Sequence, residues 1–475
     1  MTNKKKIIYL LLAVFIASLF FACNNKKENK QNNGKEKFTH SELVNIVNRS
    51  FQYVAMYNVI NNFAMQENNP IGTKGWNKTF TNTKLADHTV KAIARPNNDT
   101  YYIISILDLR DDGIVINYPA FDSKYVSIET SAYDHYVNIP LATSKGDFKK
   151  PVNVLYYSDH TKNYRGEPVE GIDTVINMSG DFVITFLRLM PHLNDPARNQ
   201  KIKRQVSELK IKTLSEFQGK PAVEKTTVNF PEWKNDQFVF KNNFEEVMQF
   251  VFNHISFDEN DKMDKAALET FAKLGIVPGK EYDPKTVVKL DGETIAAIAD
   301  SIAKASLAIW NNPDGNPYLK QVFLPKGRMT LEAMVVQSAV GPIGLPATQA
   351  VYPGIGTEDG KPLNAMHDYV IKMPAAADLP PAKTFWSVTL YDAENGYFIP
   401  NDRHKYVVGE NSGRKLNKDG GIEIYIAAEK PDGAPEENWL PINRKDENLD
   451  LIMRIYVPDW EKMKDWKQPK AEMIK

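Results

Sequence analysis

Phe385-Trp-Ser-Val-Thr-Leu-Tyr-Asp392 and Leu449-Asp-Leu-Ile-Met-Arg-Ile-Tyr-Val457 decide the fold. In the first, Trp386, Val388 and Leu390 fall on one side while Ser387 and Thr389 fall on the other. In the second, Leu449, Leu451, Met453, Ile455 and Val457 oppose Asp450, Arg454 and Tyr456. A two-residue period held this long marks a strand with one face in a core. Arg454, on the second face, is expected to pair with an acid, because an unpaired buried guanidinium is costly. With Ile422-Glu-Ile-Tyr-Ile426 and Asn438-Trp-Leu-Pro441, these strands make residues 321–475 a C-terminal β-sandwich.

Upstream the period lengthens. From Asn243 to Trp310 the patterns are helical, as in Phe244-Glu-Glu-Val-Met-Gln-Phe-Val-Phe, and Gly275 and Pro278 stand where a helix stops. Residues 226–320 therefore read as a helical domain. Further upstream, Tyr101–Leu109, Ile114–Tyr118, Tyr125–Thr130, Val152–Tyr157 and Phe182–Leu187 are short β-rich runs. Asp111-Asp-Gly, Pro119 and Lys145-Gly-Asp separate them. Such spacing argues a sandwich and not βαβ units. Gln200 to Glu216 is more helical in pattern. Thr39-His-Ser-Glu42 is a capping box, and the apolar spacing behind it predicts a helix over 41–66 whose stripe lies on a sheet. Residues 39–225 thus form an N-terminal domain of helix plus β-sandwich, and the expected class is mainly β.

The N-terminus is of another kind. Lys4-Lys-Lys6 precede an apolar run from Ile7 to Ala22, short for a membrane span, which needs about 20 residues. The run ends in Leu19-Phe-Phe-Ala-Cys23, which resembles a bacterial lipobox. The expectation is a lipoprotein signal peptide over 1–22, acylation of Cys23, and a flexible polar tether over 23–38. The protein would then sit in the bacterial cell envelope, anchored in lipid at the outer membrane. Cys23 is the single cysteine, which leaves no disulfide, thiolate metal site or catalytic thiol in the body. Lysine plus arginine equal aspartate plus glutamate at 59 each, which removes the electrostatic argument for a nucleic-acid partner.

Two sets of motifs resemble a pair of bacterial families, domain of unknown function 1254 followed by domain of unknown function 1214. The first set is Arg95-Pro-Asn-Asn-Asp-Thr-Tyr-Tyr102, Leu107-Asp-Leu109 and Tyr133-Asp-His-Tyr-Val-Asn138. The second is Phe385-Trp-Ser-Val-Thr-Leu-Tyr-Asp, Asn438-Trp-Leu-Pro, Arg454-Ile-Tyr-Val-Pro458 and Trp466 with Pro469. The resemblance implies an immunoglobulin-like N-terminal sandwich, a helical insertion and a jelly-roll-like C-terminal domain. It implies no activity. The chain departs from the pattern at Asp111-Asp-Gly-Ile and between Asp159 and Gly171.

No stretch names a reaction. The eight histidines include no zinc spacing. Asp258-Glu-Asn-Asp-Lys-Met-Asp264 fails as a calcium loop, because Met263 and Lys262 occupy positions that need glycine and an oxygen ligand. No metal and no cofactor is expected. Gly409-Glu-Asn-Ser412 lacks the spacing of a nucleophile elbow and reads as a turn. Asn438 and Trp439 suit a sugar platform less well than a core. The best polar group is Asn98, Asp99 and Thr100 entering a strand with Tyr101, joined by His135, Tyr136 and Asn138 as ligand-binding candidates. The expected role is the binding of a small-molecule or carbohydrate ligand between β domains. The alternative is a glycosidase-like hydrolase, with Asp99, Asp108 or Asp134 as general acid or base.

Overall fold

A computed structural model describes residues 38–91, 94–310 and 317–474. The expected signal peptide, Cys23 and the tether up to residue 37 lie outside them. The first eight strands are β1 Lys78–Asn82, β2 Tyr101–Asp108, β3 Ile114–Tyr118, β4 Val126–Ala132, β5 Val152–Ser158, β6 Thr174–Met178, β7 Phe182–Leu189 and β8 Lys210–Thr213. They form two sheets, β1-β2-β7-β4 and β6-β5-β3-β8. Pairing is antiparallel except between β5 and β6. Ile103, Leu107, Ile128 and Leu187 of one sheet meet Ile116 and Val154 of the other in a closed core.

The outward face of the first sheet is apolar too, carrying Ile104, Ile106, Ile184 and Phe186. That is why β2 and β7 read as near-continuous hydrophobic runs: both faces are covered. The cover is helical. Helix α1 (His40–Met65) starts at the predicted capping box, with Glu42 N–H donating to Thr39 Oγ1 (3.3 Å) and Thr39 N–H to Glu42 Oε2 (2.8 Å). Its stripe does lie on the sheet, but the helix is not merely amphipathic. It is wrapped on its other sides, where Phe51, Val54 and Ile60 share a core with Phe240, Val247, Phe252, Phe271, Ile298 and Val335.

The remaining helices are α2 Pro196–Ser207, α3 Leu214–Phe217, α4 Asp236–Asn242, α5 Phe244–Asn253, α6 Lys262–Ala272, α7 Gly292–Trp310 and α8 Leu331–Val340. The helix expected through Glu216 breaks into α2, β8 and α3. Ile211 reaches the sandwich core between exposed Lys210 and Lys212, so alternation overrides helical propensity there. The Asp258–Asp264 segment is the inter-helix loop expected, with Asp261 Oδ1 capping α6.

The C-terminal strands are β9 Ala350–Val351, β10 Leu363–Asn364, β11 Tyr369–Ala375, β12 Ala382–Asp392, β13 Val407–Gly409, β14 Gly420–Ala427, β15 Trp439–Pro441, β16 Asn448–Pro458 and β17 Ala471–Met473. One sheet runs β10-β16-β12-β13, with β9 also on β16, and the other β15-β14-β11-β17. Trp386, Val388, Leu451, Met453 and Ile455 face Ile371, Ile422, Ile424 and Leu440 in the core between them. Among the described residues helix and strand take 26% and 24%, in several sheets with no barrel, so the class is mixed and not mainly β. The helical share is larger than the sequence suggested because helices cover the part of the first sheet's outward face that carries Ile104, Ile106, Ile184 and Phe186.

Candidate functional site

The polar face of β12 and β16 is turned away from the C-terminal core, yet it is not in water. Register places Phe385 beside Tyr456 and Ser387 beside Arg454. On the first sheet, Tyr102, Arg188 and Ser127 form one row across β2, β7 and β4, with Glu129 two residues along β4. These two faces meet. Tyr125 lies edge-on to Tyr456, with centroids 5.0 Å apart, and Phe385 stacks on Tyr456 at 4.1 Å.

Asp99, fully buried, sits in the seam. Its Oδ2 accepts from Ser387 Oγ (2.7 Å) and Tyr456 OH (3.1 Å), and its carbonyl accepts from Asn411 Nδ2 (3.1 Å). Asn97 Nδ2 donates to Tyr456 OH (2.9 Å). Arg454 donates to Thr389 Oγ1 (2.8 Å), Tyr391 OH (2.6 Å) and the Arg95 carbonyl (3.3 Å). The acid expected to pair with Arg454 is therefore replaced by hydroxyls and a carbonyl. The charge of Asp99 acts on it without an ion-pair contact, and Asp450 pairs with Arg95 instead. Arg188 makes the buried ion pair of the seam, Nη1 to Glu129 Oε2 at 2.5 Å.

Burial pushes the carboxyls of Asp99 and Glu129 above their ordinary range, against the pull of Arg454 and Arg188 respectively. Burial also pushes the Tyr352 phenol up to about 12, and both guanidiniums act on it and on Tyr102. Asp99 Oδ1 and Glu129 Oε1 are buried without a hydrogen-bond partner. Tyr102 and Tyr352 are only partly buried.

The predicted residues separate into groups that share no hydrogen-bond partner. Asp99 and Thr100 are buried at the seam, and Asn98 is tied to the Ala86 carbonyl. Tyr101 points to the sandwich side, its hydroxyl on Asn199 Oδ1 (3.0 Å). Asp108 is held by Arg110 through both oxygens, at 2.9 and 2.7 Å. Asp134, His135 and Tyr136 lie where β4 leaves the sheet and meets the helices. There Lys326 Nζ stands 2.7 Å from Asp264 Oδ2 and 3.5 Å from Asp134 Oδ2, and donates to the Ser256 carbonyl (2.8 Å). Burial pushes Asp134 up to about 6, with Lys326 opposing. His135 contacts Ser338 Oγ (2.7 Å) and the Pro342 carbonyl (2.8 Å). Asn138 is exposed and bridges Thr130 through the backbone. Trp439 is a core residue, its Nε1 donating to the Ala427 carbonyl.

Arg188, Glu129, Tyr352, Ser387 and Asn411 escaped the sequence reading as site residues. The usable signal was the polar second face of β12 and β16, which Arg454 already marked. A third cluster joins sandwich to helices: Asp181 accepts from Ser158 Oγ (2.7 Å), His254 Nδ1 (2.8 Å) and His160 Nδ1 (3.1 Å). Among the described residues no group of acidic, histidine or cysteine side chains is arranged to hold a metal ion, and no helix is long and apolar enough to cross a membrane. Surface depressions of about 390 and 320 Å³, the first by Thr79 and Ile211 and the second by Asp112 and Ser215, include none of the three candidate acids.

Residues 76–211 match the family described as "Protein of unknown function (DUF1254)", and residues 349–460 match "Protein of unknown function (DUF1214)". The solved VPA0106 protein from Vibrio parahaemolyticus is 22% identical, over 91% of this chain and 100% of that one, with a TM-score of 0.67. An uncharacterized protein from Burkholderia cenocepacia is 14% identical over 92% and 96%, with a TM-score of 0.41. No curated protein matches. The first likeness extends to the fold of nearly the whole chain and to nothing further.

Proposed function

Because the chain belongs to the DUF1254 and DUF1214 families, joined in that order, we propose that it is a cell-envelope lipoprotein that binds a small-molecule or carbohydrate ligand at the seam between its two β units. The observation that carries this reading is the make-up of the seam. Asp99, Glu129 and Arg188 come from one family segment, and Tyr352, Ser387 and Arg454 from the other. Buried carboxylate oxygens without partners stand there near Tyr102 and Tyr352, which are only partly buried. A fold optimised for stability alone pairs such oxygens, since each orphan costs about 1–3 kcal/mol. The paired, mostly antiparallel sheets support an immunoglobulin-like first unit and a jelly-roll-like last one. The lipid anchor rests on Cys23 and the run before it.

Binding is tested by thermal shift of the purified chain against envelope glycans and small polar metabolites, with Asp99→Ala as control. A saturable rise in melting temperature that the control lacks is expected. An unmoved transition throughout the panel overturns the reading. Anchoring is tested apart from it, since Cys23→Ser protein should leave the membrane fraction.

A second reading, hydrolysis by acidic residues of the N-terminal unit, draws support from Asp134. A carboxyl near 6 beside a lysine and a second carboxyl is suited to proton transfer. Turnover of aryl glycosides, lost in Asp134→Asn, would favour it over binding.

A further inference from the structure

We infer, resting on the seam reading above, that the ligand class is neutral and polyhydroxylated, a monosaccharide or polyol and not a sugar acid or an amine. The seam holds two guanidiniums, Arg188 and Arg454, and two carboxyls, Asp99 and Glu129, all at most 6% exposed. Their formal charges cancel. A further buried charge would have no counter-charge left to meet it, and an unpaired buried ion is among the costliest arrangements in a protein.

The groups left open ask for a ligand that both donates and accepts. Asp99 Oδ1 is an unpartnered acceptor, and Glu129 Oε1 has no well-formed hydrogen bond, the Gly344 backbone N–H acting only weakly on that carboxyl. Arg188 uses Nη1 on Glu129, and its other N–H groups make no hydrogen bond among the described residues. A hydroxyl does both at once, donating to a carboxylate and accepting from a guanidinium. Tyr102 and Tyr352, both only partly buried, bring ring faces on which the C–H face of a sugar can lie, and the Tyr352 hydroxyl stands open to a ligand hydroxyl, which is the contact that binding would use. Charge balance, open donors and acceptors, and ring surface thus converge on one chemistry.

The test is isothermal titration of the full chain with three matched sets: glucose, galactose and myo-inositol; glucuronate and gluconate; and glucosamine. A neutral probe is expected to bind at least tenfold more tightly than its charged counterparts. Tyr352→Phe is expected to weaken that binding severalfold. The Tyr352 hydroxyl makes no hydrogen bond among the described residues, so this variant should melt like the parent, and Glu129→Gln, which keeps the shape, serves as the second variant. Charged probes binding as tightly as neutral ones, with sensitivity to Tyr352→Phe, would overturn the ligand class and leave the seam reading standing. Neutral binding indifferent to both variants would overturn both. Binding of none of the probes would overturn the class.

Discussion

Asp134 and His135 are neighbours whose burial moves their titrations in opposite directions. Asp134 is raised to about 6 by burial against the pull of Lys326, and His135 is lowered to about 4 by burial against the Pro342 carbonyl. The folded state therefore holds the Asp134 proton more tightly than the unfolded chain. Its contribution to stability is complete below about pH 4 and lost as pH rises through about 6. For His135 the unfolded chain takes the proton first. That contribution is complete above about 6.5 and lost as pH falls toward 4. In the wild type the two slopes oppose each other. Asp134→Asn removes one of them, so the variant should gain on the wild type between about pH 4 and pH 7.5, by on the order of 2 kcal/mol. Urea denaturation at the two ends checks this, and a variant-to-parent difference that stays constant across the window defeats it. The sequence marked Asp134 and His135 because they sit in Tyr133-Asp-His-Tyr-Val-Asn138. It could not mark Lys326, which stands in an unremarkable loop, nor Ser387, whose tie to Asp99 spans 288 positions. Spacing rules read local geometry, and these pairings are made by topology.

At the scale of elements, legibility followed how each face is covered. Strands β3, β4, β5 and β7 were expected within a few residues of their ends, because apolar runs this short between turns leave few alternatives. Strands β1, β6 and β8 were missed. Lys78-Thr-Phe-Thr-Asn and Lys210-Ile-Lys-Thr are edge strands with few buried positions, so their alternation is weak. Strand β16 was read correctly but hides a feature that no pattern shows. Val457, in its last turn of pairing, has φ +52°, a left-handed conformation that a β-branched residue rarely adopts. It adjoins Tyr456 at the seam, and its N–H donates to the Gln349 carbonyl at 2.8 Å, so the surroundings hold the strain in place. Val457→Gly loses roughly 2–3 kcal/mol of burial and backbone entropy but releases about 1–3 of strain. The expected net loss is about 1 kcal/mol or less. Val388→Gly, on an ordinary extended strand residue, should cost at least about 2 kcal/mol more. Denaturant midpoints of the two variants decide it, and equal losses would show that Val457 carries no stored strain.

At the scale of the whole molecule, the seam makes the two β units depend on each other. Tyr125 and Met190 of the first unit share one core with Leu345, Ala350, Phe385, Tyr456 and Val457 of the second. Helix α8, which leads into the second unit, places Val335 in the core around α1. The sequence showed three stretches of different periodicity and suggested separable domains, because periodicity reports each element's own fold and not what its second face touches. Removing residues after 320 would bare Tyr125 and Met190 to water and take away Ser387, Tyr456 and Asn411, the partners of Asp99. It would also take α8 from the helical core. Baring that apolar surface costs several kcal/mol at about 25 cal/mol per Å², a large share of the 5–15 kcal/mol that holds a typical domain together. The body is therefore expected to unfold in one calorimetric transition, with calorimetric and van't Hoff enthalpies in agreement. A fragment ending at residue 320 should lack that transition and bind hydrophobic dye, and co-expression with residues 321–475 should restore it. Two separate transitions in the full chain, or a fragment that melts cooperatively alone, would mean that the seam is a contact between independent domains, and a ligand held there would then govern their approach more than their folding.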